Sequence, residues 1–100
     1  MAQNSITIDD IQKAVAPVAE KYGVTRVYLF GSYARGDNGE GSDIDLRIDS
    51  GRIRTLWQLS GFRLAIIDNL NAKVDVLTTN SLDESFLQRI KDEEVLVYAQ

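Results

Sequence analysis

Two strand-like runs, VTRVYLF (residues 24–30) and SDIDLRID (residues 42–49), are separated by only the eleven residues GSYARGDNGEG. The first run is rich in β-branched and aromatic residues, which suit a pleated surface. The second sets Ile44, Leu46 and Ile48 against Asp43, Asp45 and Arg47, the two-residue period of a strand with one buried face. So close a link excludes the crossover that parallel neighbours need, and the two runs read as a hairpin-like unit. Whatever fold the chain adopts must be built around that unit.

The flanking sequence supplies helices and two further strands. Thr7 followed by Asp10 is an N-terminal capping signal, after which Ile8, Ile11, Val15, Val18, Ala19 and Tyr22 recur at helical spacing up to Gly23, with Pro17 predicting a kink or break. Residues 53–70 suit a helix interrupted at Gly61. KVDVLTT is a strand with Val74 and Val76 opposite Asp75, and VLVYA is a short closing strand. Between them, Ser81 with Glu84 reads as a capping box opening a helix to about Asp92. This order predicts an α+β fold, a small mixed β-sheet with helices packed on one face. With no repeat or linker-like stretch, residues 1–100 are expected to form a single domain. The 53–70 helix is apolar around much of its girth. Trp57, Phe62, Leu64 and Ile67 cannot all share the face used by Leu56, Leu59, Ile66 and Leu70, so the surplus is either a second core contact or a protein interface.

Composition removes several kinds of chemistry. The chain has no histidine and no cysteine, which rules out the usual serine-hydrolase base, the commonest zinc ligands and thiolate nucleophiles. A net charge of −4 without a Lys/Arg cluster argues against holding a long nucleic acid, whose binding rests on phosphate neutralisation. The N-terminus shows no leader pattern and no segment approaches a bilayer span, so a cytoplasmic protein is expected.

What remains is carboxylate chemistry. On a strand, the side chains of Asp43 and Asp45 lie roughly 7 Å apart on one face, and at that separation they repel by about 2 kcal/mol. Asp75 on another strand adds to the repulsion, and a cation reverses its sign. Three carboxylates without histidine suit a hard ion such as Mg²⁺, although an aspartate pair beside a turn is commonly only solvated surface. In GSYARG, Gly31 turns the backbone out of the strand and Ser32 caps a short helical turn that Gly36 ends, an arrangement able to hold a triphosphate or to serve merely as a turn. The hairpin-like unit makes the glycine-serine turn face the carboxylate pair.

GSYARG followed by SDIDL, with the later isolated aspartate of KVDVL, closely resembles the DNA polymerase β-like nucleotidyltransferase superfamily. The nearest likeness is to its minimal nucleotidyltransferase branch, which includes the MntA-like antitoxins of HEPN/MNT toxin–antitoxin pairs. The resemblance implies that Gly31 and Ser32 bind nucleotide phosphates, that Asp43 and Asp45 hold two Mg²⁺, and that Asp75 completes the metal site and helps activate the acceptor hydroxyl. Arg35 matches the family arginine as either a phosphate contact or a brace for the turn. Asp49 lies one pleat beyond the pattern. It further implies ATP as substrate and, as partner, a HEPN-type ribonuclease toxin whose tyrosine receives AMP. A nucleotide-binding module that blocks its partner by contact, and a small-molecule transferase acting on an antibiotic hydroxyl, are the competing expectations.

Overall fold

Residues 6–100 are described by a computed structural model. The absence of a leader was read partly from residues 1–5, which lie outside the described residues. The chain opens with α1 (Ile8–Tyr22), capped as its sequence predicts: Thr7 Oγ1 accepts from the Asp10 N–H at 3.0 Å and the Asp10 carboxylate accepts from the Thr7 N–H at 2.9 Å. Gly23 ends it in the left-handed region, at φ 74°. Pro17 does not break the helix. It faces solvent, so the carbonyl one turn earlier that lacks its usual donor is open to water.

β1 (Arg26–Phe30) and β2 (Ile44–Asp49) pair antiparallel, with Phe30 opposite Asp45 and Tyr28 opposite Arg47. Between them lies the single helical turn α2 (Ser32–Arg35). From β2 the chain crosses through α3 (Leu56–Leu70) into β3 (Val74–Thr78), which pairs parallel to β2 and sets Asp75 in register with Asp45. A 3-10 turn (Thr79–Ser81) and α4 (Glu84–Lys91) lead to β4 (Val95–Ala99), antiparallel to β1 on its free side. The sheet order is β3-β2-β1-β4, the mixed α+β sheet expected.

The two long helices share one face of that sheet. Val27, Leu29, Ile44, Leu46, Ile48, Val74 and Val97 pack beneath Ile11, Val15, Val18 and Ala19 of α1 and Phe62 and Ile66 of α3, each large side chain contributing about 1.5–3 kcal/mol by leaving water. Tyr22 meets Phe62 edge-on at 6.0 Å. Gly61 permits this close approach rather than interrupting α3, since a Cβ there would lie 2.6 Å from the Tyr22 hydroxyl. The expected division of α3 is revised too. Phe62 belongs with Ile66 in the core, whereas Leu56, Trp57 and Leu64 are 81%, 87% and 54% exposed.

α4 departs from the expected packing of helices on one face: it stands against the opposite face, where Phe86 packs edge-on to Phe30 at 5.9 Å. Its cap is Asp83, which accepts from the Phe86 N–H at 2.8 Å. Ser81 is spent in the 3-10 turn instead, donating to the Thr78 carbonyl at 2.8 Å. The turn from α4 into β4 is tied to β2 by Arg47, whose guanidinium lies 4.1 Å from the Tyr28 ring centroid, forms a two-pronged pair with Glu94 and donates to Thr79 Oγ1 at 2.7 Å. No helix among the described residues is long and apolar enough to cross a membrane.

Candidate active site

The C-terminal end of β1 and the N-terminal ends of β2 and β3 meet at one edge of the molecule, and the sequence-predicted residues gather there. Gly31 leaves β1 at φ 80° and ψ −157°, a conformation that strongly favours glycine. A Cβ at this position would overlap the Asp45 carboxylate. Gly31, not Ser32, is the cap residue of α2. Ser32 is the first helical residue, so its N–H and that of Tyr33 fall among the amides that a helix start leaves without an intrahelical acceptor.

Asp45 is half-buried on β2 between Phe30 of β1 and Asp75 of β3. Burial pushes its carboxyl above the ordinary aspartate range. The neighbouring negative charges of Asp75 and Asp43 push it further, and Arg35 partly offsets them. Asp43 lies one residue ahead of β2 rather than within it, yet it borders the same cavity. That cavity, of about 580 Å³, is lined by Gly31, Ser32, Arg35, Asp43 and Asp45 together with Phe30 and α4 residues. Asp75 faces a second cavity, which Asp43 also lines. The three aspartates therefore form a row across the strand ends, with Asp43 bordering both hollows.

Glu93 was not identified from sequence. Its carboxylate accepts from the Gly31 N–H at 2.8 Å and pairs with Arg35 at 3.2 Å, while Arg35 Nε also meets Asp37 at 3.1 Å. Phe86, Arg89 and Ile90 complete the wall of the first cavity. The available signal was topological: a strand pairing with β1 brings the turn before it to the end of β1. Asp49 is a strand end, accepting from Thr79 Oγ1 at 2.7 Å.

Among the described residues no three acidic side chains converge closely enough to ligate an ion as they stand. The donor set nonetheless suits a hard divalent cation. Asp43, Asp45 and Asp75 are all-oxygen ligands, and the mutual repulsion that raises Asp45 is relieved by positive charge between them.

The model of the family described as "Polymerase beta, Nucleotidyltransferase" matches residues 13–100. A Methanocaldococcus jannaschii protein named "Putative protein adenylyltransferase MJ0435" is 37% identical over 90% of this chain and 97% of its own length. "Protein adenylyltransferase MntA" of Thermococcus cleftensis is 27% identical over 92% of this chain and 97% of its own. Among solved structures, a "putative minimal nucleotidyltransferase" superposes with a TM-score of 0.79 at 27% identity, covering 93% of this chain and 98% of that one. Two toxin–antitoxin complexes share the fold. One holds AMP-PNP (TM-score 0.73, 19% identity, 93% of this chain and 73% of that one). The other is a tri-AMPylated Shewanella oneidensis HEPN toxin with its MNT antitoxin (TM-score 0.71, 14% identity, 94% and 74%). With its glycine turn and aspartate row on the sheet these relatives share, the chain belongs to the polymerase β nucleotidyltransferase family, in its minimal nucleotidyltransferase branch.

Proposed function

We propose that this protein transfers AMP from ATP to a tyrosine hydroxyl of a HEPN-type ribonuclease toxin and so acts as its antitoxin. The observation that carries the reading is the register across β1, β2 and β3, in which Phe30 pairs with Asp45 and Asp45 with Asp75. It brings the glycine-serine turn and the three carboxylates to one edge. Gly31 and Ser32 receive the triphosphate, with Arg35 beside them. Asp43, Asp45 and Asp75 hold Mg²⁺, which when bound neutralises charge on the phosphates. Asp45 stays ionised more readily with that cation than alone, and Asp75 takes the proton of the acceptor hydroxyl. The relatives named for protein adenylyl transfer and the fold shared with HEPN-bound antitoxins support the substrate and the partner.

Intact-mass spectrometry of a HEPN-type partner incubated with this protein, ATP and Mg²⁺ tests the proposal. Each transfer adds about 329 Da, the mass of a nucleotidyl rather than a phosphoryl group. Asp43→Asn and Asp45→Asn are expected to abolish the gain. A partner that is silenced but unmodified, and silenced equally by Asp43→Asn, supports instead a module that blocks by contact.

A further inference from the structure

Helix α3 buries one side only. Leu59, Phe62, Ile66 and Leu70 face the core, yet the opposite side is not polar. Leu56, Trp57 and Leu64, with half-buried Ile67 beside them, recur at helical spacing and form one row about 16 Å long on the outer surface. Single exposed apolar side chains are ordinary, whereas a continuous row of them marks a contact. Ser60, a small residue one turn from both Trp57 and Leu64, leaves a shallow place between them. That relief suits the ridge of a second helix.

The charges around this row are of one sign. From Ser50 to Ile67 the sequence holds Arg52, Arg54 and Arg63 and no acidic residue, in a chain whose net charge is −4. None of the three arginines pairs with a carboxylate among the described residues. Arg54 stands immediately ahead of the Thr55 cap, and Arg63 borders Ser60 and Ile67, one turn away on either side. Arg63 Nε donates to the Val74 carbonyl at 2.8 Å, which holds the side chain beside the row without giving its charge a counter-anion. α3 also lacks an acidic residue in its first turn, where α1 has Asp9 and Asp10 and α4 has Glu84, so the positive end of its dipole is left uncompensated. Asp68, one turn beyond Leu64, closes the basic stretch.

We propose that this face of α3 docks an amphipathic helix of a partner protein whose apolar ridge is flanked by acidic side chains. The apolar row takes the ridge, and the arginines with the helix start take the acidic flank. A second copy of this chain fits worse, because its α3 brings the same arginines and no acid between Ser50 and Ile67 to meet them. The docking goes beyond the nucleotidyl-transfer reading and does not depend on it.

Calorimetric titration of the full chain with two synthetic helical peptides tests the proposal. The peptides, of about 20 residues, share a leucine ridge and differ in whether glutamate or lysine flanks it. The glutamate peptide is expected to bind about tenfold more tightly than the lysine peptide, and its advantage to shrink as salt is raised. Arg54→Glu, at a side chain that makes no bond within the fold, should narrow the difference, and Arg54→Glu with Arg63→Glu should reverse it. Trp57→Ala, on the open side of the helix, should weaken the glutamate peptide about tenfold. Equal affinity for the two peptides, an order that charge reversal leaves unchanged, binding that survives Trp57→Ala, or no binding of either peptide overturns the proposal. So does a dimer in sedimentation that Trp57→Ala dissolves, which would give the face to a second copy.

Discussion

The carboxylate of Glu93 accepts the backbone N–H of Gly31 at 2.8 Å, so an acidic side chain sits on the amide at the mouth of the proposed phosphate seat. It takes the Arg35 guanidinium as well. Its neighbour Glu94 turns the other way, to Arg47 on the sheet. Two adjacent glutamates thus separate into a ligand-like anion and a structural tie.

Glu93→Gln is expected to tighten ATP binding severalfold, because the carboxylate competes with phosphate oxygens for the Gly31 N–H and Arg35. Its ligand-free form should lose about 1 kcal/mol of stability, the worth of one hydrogen bond to a charged group weakened to a neutral one. Calorimetric titration with a non-hydrolysable ATP analogue decides it. Weaker binding would mean that Glu93 holds the turn in its working shape.

Glu94→Ala is expected to destabilise the fold by about 3 kcal/mol, the low end for breaking a buried pair, since Arg47 and Glu94 are only 11% and 9% exposed and the nearly buried guanidinium keeps as polar partners only Thr79 and a longer pair with Asp49 at 3.7 Å. Urea unfolding measures this. The folded fraction should still bind the ATP analogue normally, and a stability loss below about 1 kcal/mol would show the pair to be merely superficial.

Asp45 sets a pH dependence whose sign is fixed by the direction of its shift. Its carboxyl is raised in the folded state, first by burial and then by Asp75 and Asp43, so the folded protein binds a proton more readily than the unfolded chain. That contribution is fully present below the unfolded aspartate value and is lost as pH rises through the raised folded value. Asp45→Asn should therefore melt higher than wild type near neutral pH, with the difference shrinking toward acid. Melts from acid to neutral pH without divalent ions read it directly. A gap that widened toward acid would contradict the assigned repulsion.

Asp75→Asn should suppress transfer far more than nucleotide binding, because Asp75 lines the cavity away from Gly31 and Ser32. Ser32→Ala should weaken ATP binding by about 1 kcal/mol or somewhat more. The reverse pattern in calorimetry and transfer assays would exchange the two roles.

Gly31→Ala is expected to unfold the strand–turn junction by roughly 1–3 kcal/mol, the scale of a side chain forced into a left-handed backbone position. It should also displace Asp45 and remove transfer, as the new methyl would occupy the place of its carboxylate. Urea titration and the transfer assay together check it. A variant as stable and active as wild type would refute the close approach.

The gathering of the candidate residues was legible wherever it followed from local spacing. Gly31, Ser32, Asp43, Asp45 and Asp75 stand in short patterns attached to strands, and strand pairing brings them to one end. Glu93 was not, because its role depends on β4 pairing with β1 rather than on its sequence neighbours. Of the kink or break that Pro17 suggested, the break does not occur, because its exposed position tolerates a missing donor. The division of α3 failed for a related reason. With apolar residues all around it, only contact with Tyr22 and the sheet decides that Phe62 is core and Leu56 is not. At α4 the expected cap, Ser81, was claimed by the 3-10 turn, and Asp83 caps the helix instead.

Trp57 is the chain's sole tryptophan and stands 87% exposed on α3. The protein therefore carries a built-in optical gauge, with an indole that emits from water and is open to collisional quenchers. A partner bedding along α3 must dry that indole, shifting its emission to the blue and shielding it from acrylamide, whereas nucleotide entering beside Gly31 leaves the indole wet. The two loading events can be followed separately in one cuvette, without a dye.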